Sequence, residues 1–302
     1  MQALLRPDLD RLARELPPRP RTRYAPSPTG YLHLGHVVNA IYVWGVVRAL
    51  DGCVLVRIEN HDRIRSVPEY EVALLEDLAW LGFSGDEPNG RQCDEEWSYE
   101  HALHTLARSH HVYACDCSRR DIAAAADIPG EDVRYTGRCR TRGLDAASAC
   151  GLRVVIEPGL ERFDDALLGE QVQDPAAQCG DLLVRDRDRH WTYQFAVTVD
   201  DCRQAIDLVI RGADLLTSTA RQIRLARMLG RVTPPIFLHH SLLLKPSGQK
   251  LSKSSGDTGV RDLRAAGVGA ADVIGRAAAA VGLLEAPRPI AATEVQDLFR
   301  AV

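Results

Sequence analysis

Between Thr22 and Gly82 the chain alternates between two hydrophobic periods, and this alternation restricts the fold more than any other feature. Thr22 to Ala25 is a short extended run stopped by Pro26-Ser27-Pro28-Thr29-Gly30, where two prolines and a glycine exclude helix. From about His33 to Leu50 the residues Leu34, Val37, Val38, Ile41, Trp44 and Val47 recur at helical spacing, and Asp51-Gly52 ends the run. Cys53 to Glu59 reads as a buried strand with a polar end. Pro68 to Leu81 reads as a second helix, closed by Gly82. Strand, helix, strand, helix in so short a stretch opens a parallel α/β sheet.

The pattern changes after that. From about Cys93 to Arg189 short mixed elements surround the cysteines Cys115, Cys117 and Cys139, which reads as an insertion (93–190) between two halves of the sheet domain (21–92 and 191–259). The second half offers a strand-like Ala205 to Arg211, a helix from Thr217 to Leu229 and a strand-like Ile236 to Leu244. A small helical tail (260–302) follows. Residues 1–20 read as an N-terminal extension, a short amphipathic helix and then the stiff run Pro17-Pro18-Arg19-Pro20. Charges at Arg6, Asp8, Asp10, Arg11, Arg14 and Glu15 exclude a secretory signal, and the acids among them argue against a transit peptide. No apolar run approaches a membrane span. Eight cysteines without small-scaffold spacing suit a reducing, cytoplasmic compartment. A net charge of −4 excludes a generally basic nucleic-acid coat and leaves room for a local basic patch.

Three groupings carry chemistry. The first is the proline–glycine turn leading to His33-Leu34-Gly35-His36. A helix start there would present unpaired N–H groups and a positive dipole end to a phosphate, with Gly35 permitting close approach and two histidines able to donate hydrogen bonds. The second is Lys250-Leu251-Ser252-Lys253-Ser254, between Gly248 and Gly256. Of 37 Lys+Arg, the only lysines are Lys245, Lys250 and Lys253, so this segment alone keeps compact, flexible ammonium groups. The third is Cys115-Asp116-Cys117 with Cys139 downstream. A Cys-x-Cys pair can chelate one zinc ion with a later cysteine, and Tyr135, His110, His111 or Cys150 could supply a fourth ligand.

In this order the first two groupings resemble the HIGH and KMSKS signatures of a class I aminoacyl-tRNA synthetase. The run from Arg23 to His36, the run Trp191 to Asp201, and Val209-Ile210-Arg211-Gly212-Ala213-Asp214 resemble its glutamyl branch specifically. The resemblance covers roughly Arg21 to Val260. It implies a Rossmann-like catalytic domain split by an insertion. His33, His36 and Lys253 would be catalytic. ATP would lie against His33, Gly35, His36, Lys250, Ser252 and Lys253, with Mg²⁺. Glutamate would be held by Arg23, Tyr24, Ala25, Pro26, Ser27, Glu59, Tyr193 and Arg211. Arginines suit its carboxylates, and Glu59 at a strand end suits its ammonium. The resemblance also favours Tyr135, with Cys115, Cys117 and Cys139, around one structural zinc.

Two departures qualify this. Asn60-His61-Asp62-Arg63 stands where the glutamyl family has an aspartate and a Pro-Pro-Arg stretch. The chain also ends soon after the lysine segment, where ordinary members continue into a long anticodon-binding region. On that ground it resembles the short glutamyl-Q tRNA(Asp) synthetases, which attach glutamate to the queuosine base of tRNA(Asp). Arg119, Arg120, Arg138, Arg140 and Arg142 are then the candidate RNA contacts. A truncated 3′-charging synthetase and a non-catalytic, zinc-stabilised RNA-binding relic are the competing readings.

Overall fold

The computed structural model describes residues 5–124, 134–146, 150–243 and 259–300. Lys245, Lys250, Ser252 and Lys253 lie outside them, as does the end of the alanine run 123–126.

The opening pattern forms as expected. Strand β1 (Arg21–Tyr24) pairs in parallel with β2 (Cys53–Ile58), from Arg21 opposite Cys53 to Tyr24 opposite Val56. Helix α2 (Leu34–Ala49) connects them, after a short α1 (Leu9–Glu15) capped by the Asp8 side chain. Helix α3 (Pro68–Leu81) starts with proline at its first turn, where no N–H is missed, and stops at Gly82 with φ +88°. A short β3 (Gly90–Arg91) adds to the far edge of β2. In the second half β9 (Leu208–Gly212) pairs in parallel with β10 (Ile236–His240), joined by a 3₁₀ turn and α8 (Thr219–Met228). Asp207 N–H donates to the Arg21 carbonyl at 2.9 Å and Thr22 Oγ1 to the Leu208 carbonyl at 2.7 Å, so β9 lies against β1. The spatial order 3-2-1-9-10 reverses direction between β1 and β9, which opens a crevice beyond the carboxyl ends of those two strands.

The segment 93–190 is not one continuous insertion. It begins with α4 (Glu96–Ser109), β4 (Val112–Cys115), the short α5 (Arg119–Ala124) and β5 (Gly151–Val154). The hairpin of β6 (Glu161–Asp165) and β7 (Gly169–Gln173) then returns to the main sheet, with Asp165 of β6 opposite Phe237 of β10. After α6 (Pro175–Cys179), β8 (Leu182–Arg185) goes back to complete a small antiparallel sheet in the order β4-β5-β8. That sheet packs with α4 on α7 (Tyr193–Arg203) through Tyr99, Leu106, Ile156, Val184, Trp191 and Phe195. Sequence periodicity missed the return because β6, Glu-Arg-Phe-Asp-Asp, is nearly all polar.

Helix α2 is apolar around its whole circumference because it is covered on both sides. The sheet residues Val54, Val56, Ile58 and Ile210 and the tail residues Val273, Ile274, Ala277 and Phe299 belong to one core with it. The tail, α9 (Val260–Ala265), α10 (Ala270–Ala280) and a final 3₁₀ turn, therefore shares one core with the main sheet. Leu12 of the N-terminal extension is buried in the same core.

Gly45 on α2 tests this covering. A Cβ there would stand 2.3 Å from Phe299 Cε2 and 2.9 Å from the Val295 carbonyl. Gly45→Ala gains about 1 kcal/mol of helix propensity, but overpacking into backbone costs about 1–3 kcal/mol. We expect a lower Tm by differential scanning calorimetry. An unchanged or raised Tm would mean that the tail does not pack there.

Candidate active site

The crevice holds two adjoining cavities that share Ala25, Ser27, Asn39, Gly212 and Leu215. One, of about 350 Å³, is also lined by Arg23, Glu59, Tyr193, Ile210 and Arg211. The other, of about 430 Å³, is also lined by Tyr24, Pro26, Thr29, His33, Gly35, His36, Asp214 and His240. All described candidates for glutamate and nucleotide binding therefore line one or other of two neighbouring compartments.

The 430 Å³ compartment is built on the start of α2. The Gly35 N–H donates to His33 Nδ1 at 3.1 Å, and the His33 N–H donates to His36 Nδ1 at 3.1 Å. Both Nδ1 atoms accept, so each neutral ring carries its proton on Nε2, where it is a donor, as a phosphate oxygen requires. No acidic residue occupies the first turn, so the positive end of the helix dipole faces a compartment whose lining includes the carboxylate of Asp214. The structure gives Gly35 a further reason beside ligand approach: a Cβ there would lie 2.9 Å from the His33 ring. The lysine segment itself is not described, but both its flanks reach this compartment. Leu242 and Leu243 line it. Gly259 bridges to His33, and the Val260 N–H donates to the Leu32 carbonyl.

The other compartment rests on buried charge. Arg57, the one cation inside the apolar run of β2, is 1 % exposed. It donates to Asp201 Oδ1 at 2.8 Å, to Gln204 Oε1 at 2.8 Å and to Glu59 Oε1 at 3.0 Å, with Asp200 at 3.7 Å. A charge in the middle of a strand that reads as buried signals that polar partners must meet it, though the sequence does not show which. Asp201 is also held by Arg23 Nε at 3.1 Å, and Arg23 donates further to the Ile210 carbonyl at 3.3 Å. Asp200 accepts from Tyr99 at 2.9 Å and Gln92 at 2.7 Å. Arg23 therefore faces the cavity already partnered, and Glu59 already accepts one guanidinium.

Arg211 differs. It is 4 % exposed and donates only to neutral acceptors: His239 Nε2 at 3.0 Å, Gln222 Oε1 at 2.7 Å and Thr219 Oγ1 at 2.9 Å. Tyr193 also interacts with it. Among the described residues no carboxylate lies within ion-pair distance of Arg211. A buried, unneutralised guanidinium at a cavity wall is a site for an incoming anion.

The small sheet carries the cysteine cluster. The sulfurs of Cys115, Cys117 and Cys139 lie within 4.8 Å of one another. The Tyr135 hydroxyl is 3.4 Å from Cys115 Sγ and 4.0 Å from Cys117 Sγ. Of the four open candidates for a further ligand, Tyr135 is the one placed against these thiols. Burial pushes the Cys115 thiol up, but the Tyr135 hydroxyl and the Arg153 guanidinium, at 3.4 Å each, outweigh it and hold the thiol below its usual value. The Arg142 guanidinium lies 3.3 Å from Cys139 Sγ. This donor set fits one tetrahedral metal ion.

A family model for the catalytic domain of class I tRNA synthetases (E and Q) matches residues 20–272. A glutamyl-Q tRNA(Asp) synthetase from Burkholderia cenocepacia is 42% identical over 244 residues, covering 79% of this chain and 81% of the relative. The chain belongs to this family of class I ligases. A second member, from Rhodobacter capsulatus, is 37% identical over 271 residues, covering 83% of this chain and 97% of the relative. Among solved structures, the glutamate-tRNA synthetase of Elizabethkingia anophelis superposes with a TM-score of 0.67 at 28% identity, over 79% of this chain; the chain spans about half (53%) of that protein. No described helix is long and apolar enough to cross a membrane.

Asp201 is the anion shared by two buried guanidinium groups. Burial would raise its pKa, but Arg23 and Arg57 overcome that and hold it below the usual carboxylate value. Its contribution to stability is therefore present above the unfolded carboxyl pKa and lost as pH falls through the lower, folded value. Asp201→Asn should destabilise the protein at pH 7 by about 3–5 kcal/mol, the scale of breaking a buried ion pair. In urea titrations the deficit should shrink towards acid pH. A deficit independent of pH would contradict the ion-pair account.

Proposed function

We infer that the protein activates glutamate with ATP and passes the glutamyl group to the queuosine base of tRNA(Asp). The observation that carries the first step is Arg211, a buried guanidinium with neutral partners facing the cavity beside the two-histidine helix start. Glutamate brings the anions this wall lacks, and Glu59 stands across the same cavity for the ammonium. In the first step a carboxylate oxygen forms a bond to the α-phosphorus of ATP while the bond to the bridging oxygen breaks and pyrophosphate leaves. The Nε2–H groups of His33 and His36 are placed to meet phosphate oxygens as charge builds. Mg²⁺, when bound, neutralises phosphate charge. Lys250, Ser252 and Lys253 are assigned to the same phosphates from their motif and from the position of their flanks. In the second step a nucleoside hydroxyl attacks the mixed anhydride, loses its proton and displaces AMP, so no protein nucleophile is required.

The queuosine acceptor follows the activity named for the relatives. Of the arginines proposed to meet RNA, Arg140 is committed to Asp181 through two contacts at 2.6 Å and Arg142 to Asp116 at 2.6 Å. Arg119, Arg120 and Arg138 are exposed. Labelled glutamate should pass to queuosine-bearing tRNA(Asp) and not to tRNA(Asp) lacking queuosine or to tRNA(Glu), and transfer should weaken steeply with salt. Efficient charging of tRNA(Glu) would overturn the acceptor assignment and leave glutamate activation standing.

We assign the Cys115, Cys117, Tyr135 and Cys139 donors to one structural zinc, which would knit β4 to the loop beyond it. Protein purified without chelator should contain about one zinc per chain by elemental analysis. Cys139→Ser should lose it and expose the insertion to proteolysis before the catalytic sheet. Metal-free wild-type protein of unchanged Tm would refute the assignment.

A further inference from the structure

Beneath Arg211 lies a buried polar chain that the reaction does not use. His239, on β10, has no exposed surface, and Asp165, on β6, is 1 % exposed. His239 Nδ1 lies 2.6 Å from Asp165 Oδ2, and His239 Nε2 lies 3.0 Å from Arg211 Nε. The other oxygen of Asp165 accepts the backbone N–H groups of Leu167 and Leu168, both at 3.0 Å, and of His239 at 3.3 Å.

These contacts leave only one arrangement of protons. An arginine keeps its Nε–H at every pH the protein tolerates, so His239 Nε2 must accept. The ring proton is then on Nδ1 and is donated to Asp165. Burial and the neighbouring guanidinium oppose a second ring proton, which would place a donor against Arg211. Asp165 in turn cannot rotate, because three backbone donors fix its second oxygen.

We propose that Asp165 locks the tautomer of His239 so that the imidazole serves as the positioning acceptor for Arg211, and that this holds the guanidinium where it selects an acidic amino acid over its amide. The proposal rests on the reading of Arg211 as the glutamate-binding group. Neither Asp165 nor His239 lines the substrate cavity. They are positioning residues that act through Arg211.

The chemistry supplies an isosteric probe. In Asp165→Asn the amide oxygen stays with the three backbone donors, which leaves the amide N–H facing His239 Nδ1. Nδ1 must then accept, the proton moves to Nε2, and a donor faces the Arg211 Nε–H. Arg211 Nε–H then loses its acceptor and is left unsatisfied, while the His239 Nε2–H can turn only to Thr219 Oγ1, 3.2 Å away, which already accepts from Arg211. In the double variant Asp165→Asn/His239→Gln, the glutamine amide can turn its oxygen to Arg211 whatever residue 165 donates.

The test is amino-acid-dependent ATP–pyrophosphate exchange together with ¹⁵N NMR of the histidine-labelled full-length protein. Wild-type His239 should show a protonated Nδ1 and an unprotonated Nε2, and Asp165→Asn should reverse them. Asp165→Asn should raise KM for glutamate about tenfold or more, leave KM for ATP within about twofold, and reduce the preference for glutamate over glutamine. The added His239→Gln should recover most of that loss, whereas a merely structural role predicts a double variant no better than the single one. An Nε2-protonated wild type, an unchanged glutamate KM in Asp165→Asn, or no recovery in the double variant would each overturn the proposal. Absence of glutamate-dependent exchange in the wild type would overturn the glutamate reading and the selectivity claim with it, while the NMR result still decides the tautomer.

Discussion

Arg57 stands on β2 with nearly all of its surface withdrawn from water, and its charge is stabilised by Glu59 at the strand end and by Asp200 and Asp201 on α7. A buried guanidinium without polar partners would be prohibitive, and at Arg57 the partners are carboxylates. Doing so ties the two halves of the chain together, since β2 belongs to the first and α7 to the second. It also fixes which charges remain for a ligand. Arg23 shares Asp201 with Arg57, and Glu59 shares its charge with Arg57. Arg211, across the crevice, receives no carboxylate from the described protein. The asymmetry in the cavity is thus a consequence of how Arg57 is neutralised.

The sheet order places these groups. Because β1 and β9 meet where the order reverses, residues at their carboxyl ends converge: Arg23 and Tyr24 from one, Arg211 and Gly212 from the other. The same point receives the start of α2, so the cavity at the helix start and the cavity lined by buried charge share a wall. The tail, packed on α2 through Phe299 and α10, supports that helix from behind. Gly259, at the start of the tail, bridges to His33, and Leu243 lines the same cavity as the two histidines.

Much of this was legible in the sequence. Periodicity located β1, α2, β2 and α3 closely because each of these elements buries an apolar face, and the punctuation at Gly82 and Pro68 fixed α3 at both ends. The motif residues that the structure describes line the two cavities, beside others such as Asn39, Leu215 and His240 that no motif marked. Two things were not legible. The hairpin β6–β7 is polar and joins the sheet by parallel contact with β10, so no hydrophobic pattern marks it. The roles of Arg57, Asp165 and His239 depend on partners far away in sequence, Asp201 for the first and Arg211 for the last, and spacing carries no record of such pairing. A cation in the middle of the run Val54 to Ile58 was the one visible hint.

The central claim is that the cavity around Arg211, Arg23 and Glu59 is built for an amino acid with a second carboxylate. Exchange of labelled pyrophosphate into ATP, measured without tRNA and with glutamate, glutamine or aspartate as the only amino acid, tests it most directly. The account predicts exchange with glutamate and a rate lower by at least about two orders of magnitude with glutamine, since a site built to hold a charged group rejects an analogue that leaves its buried partner unpaired. Comparable rates with glutamate and glutamine would contradict it.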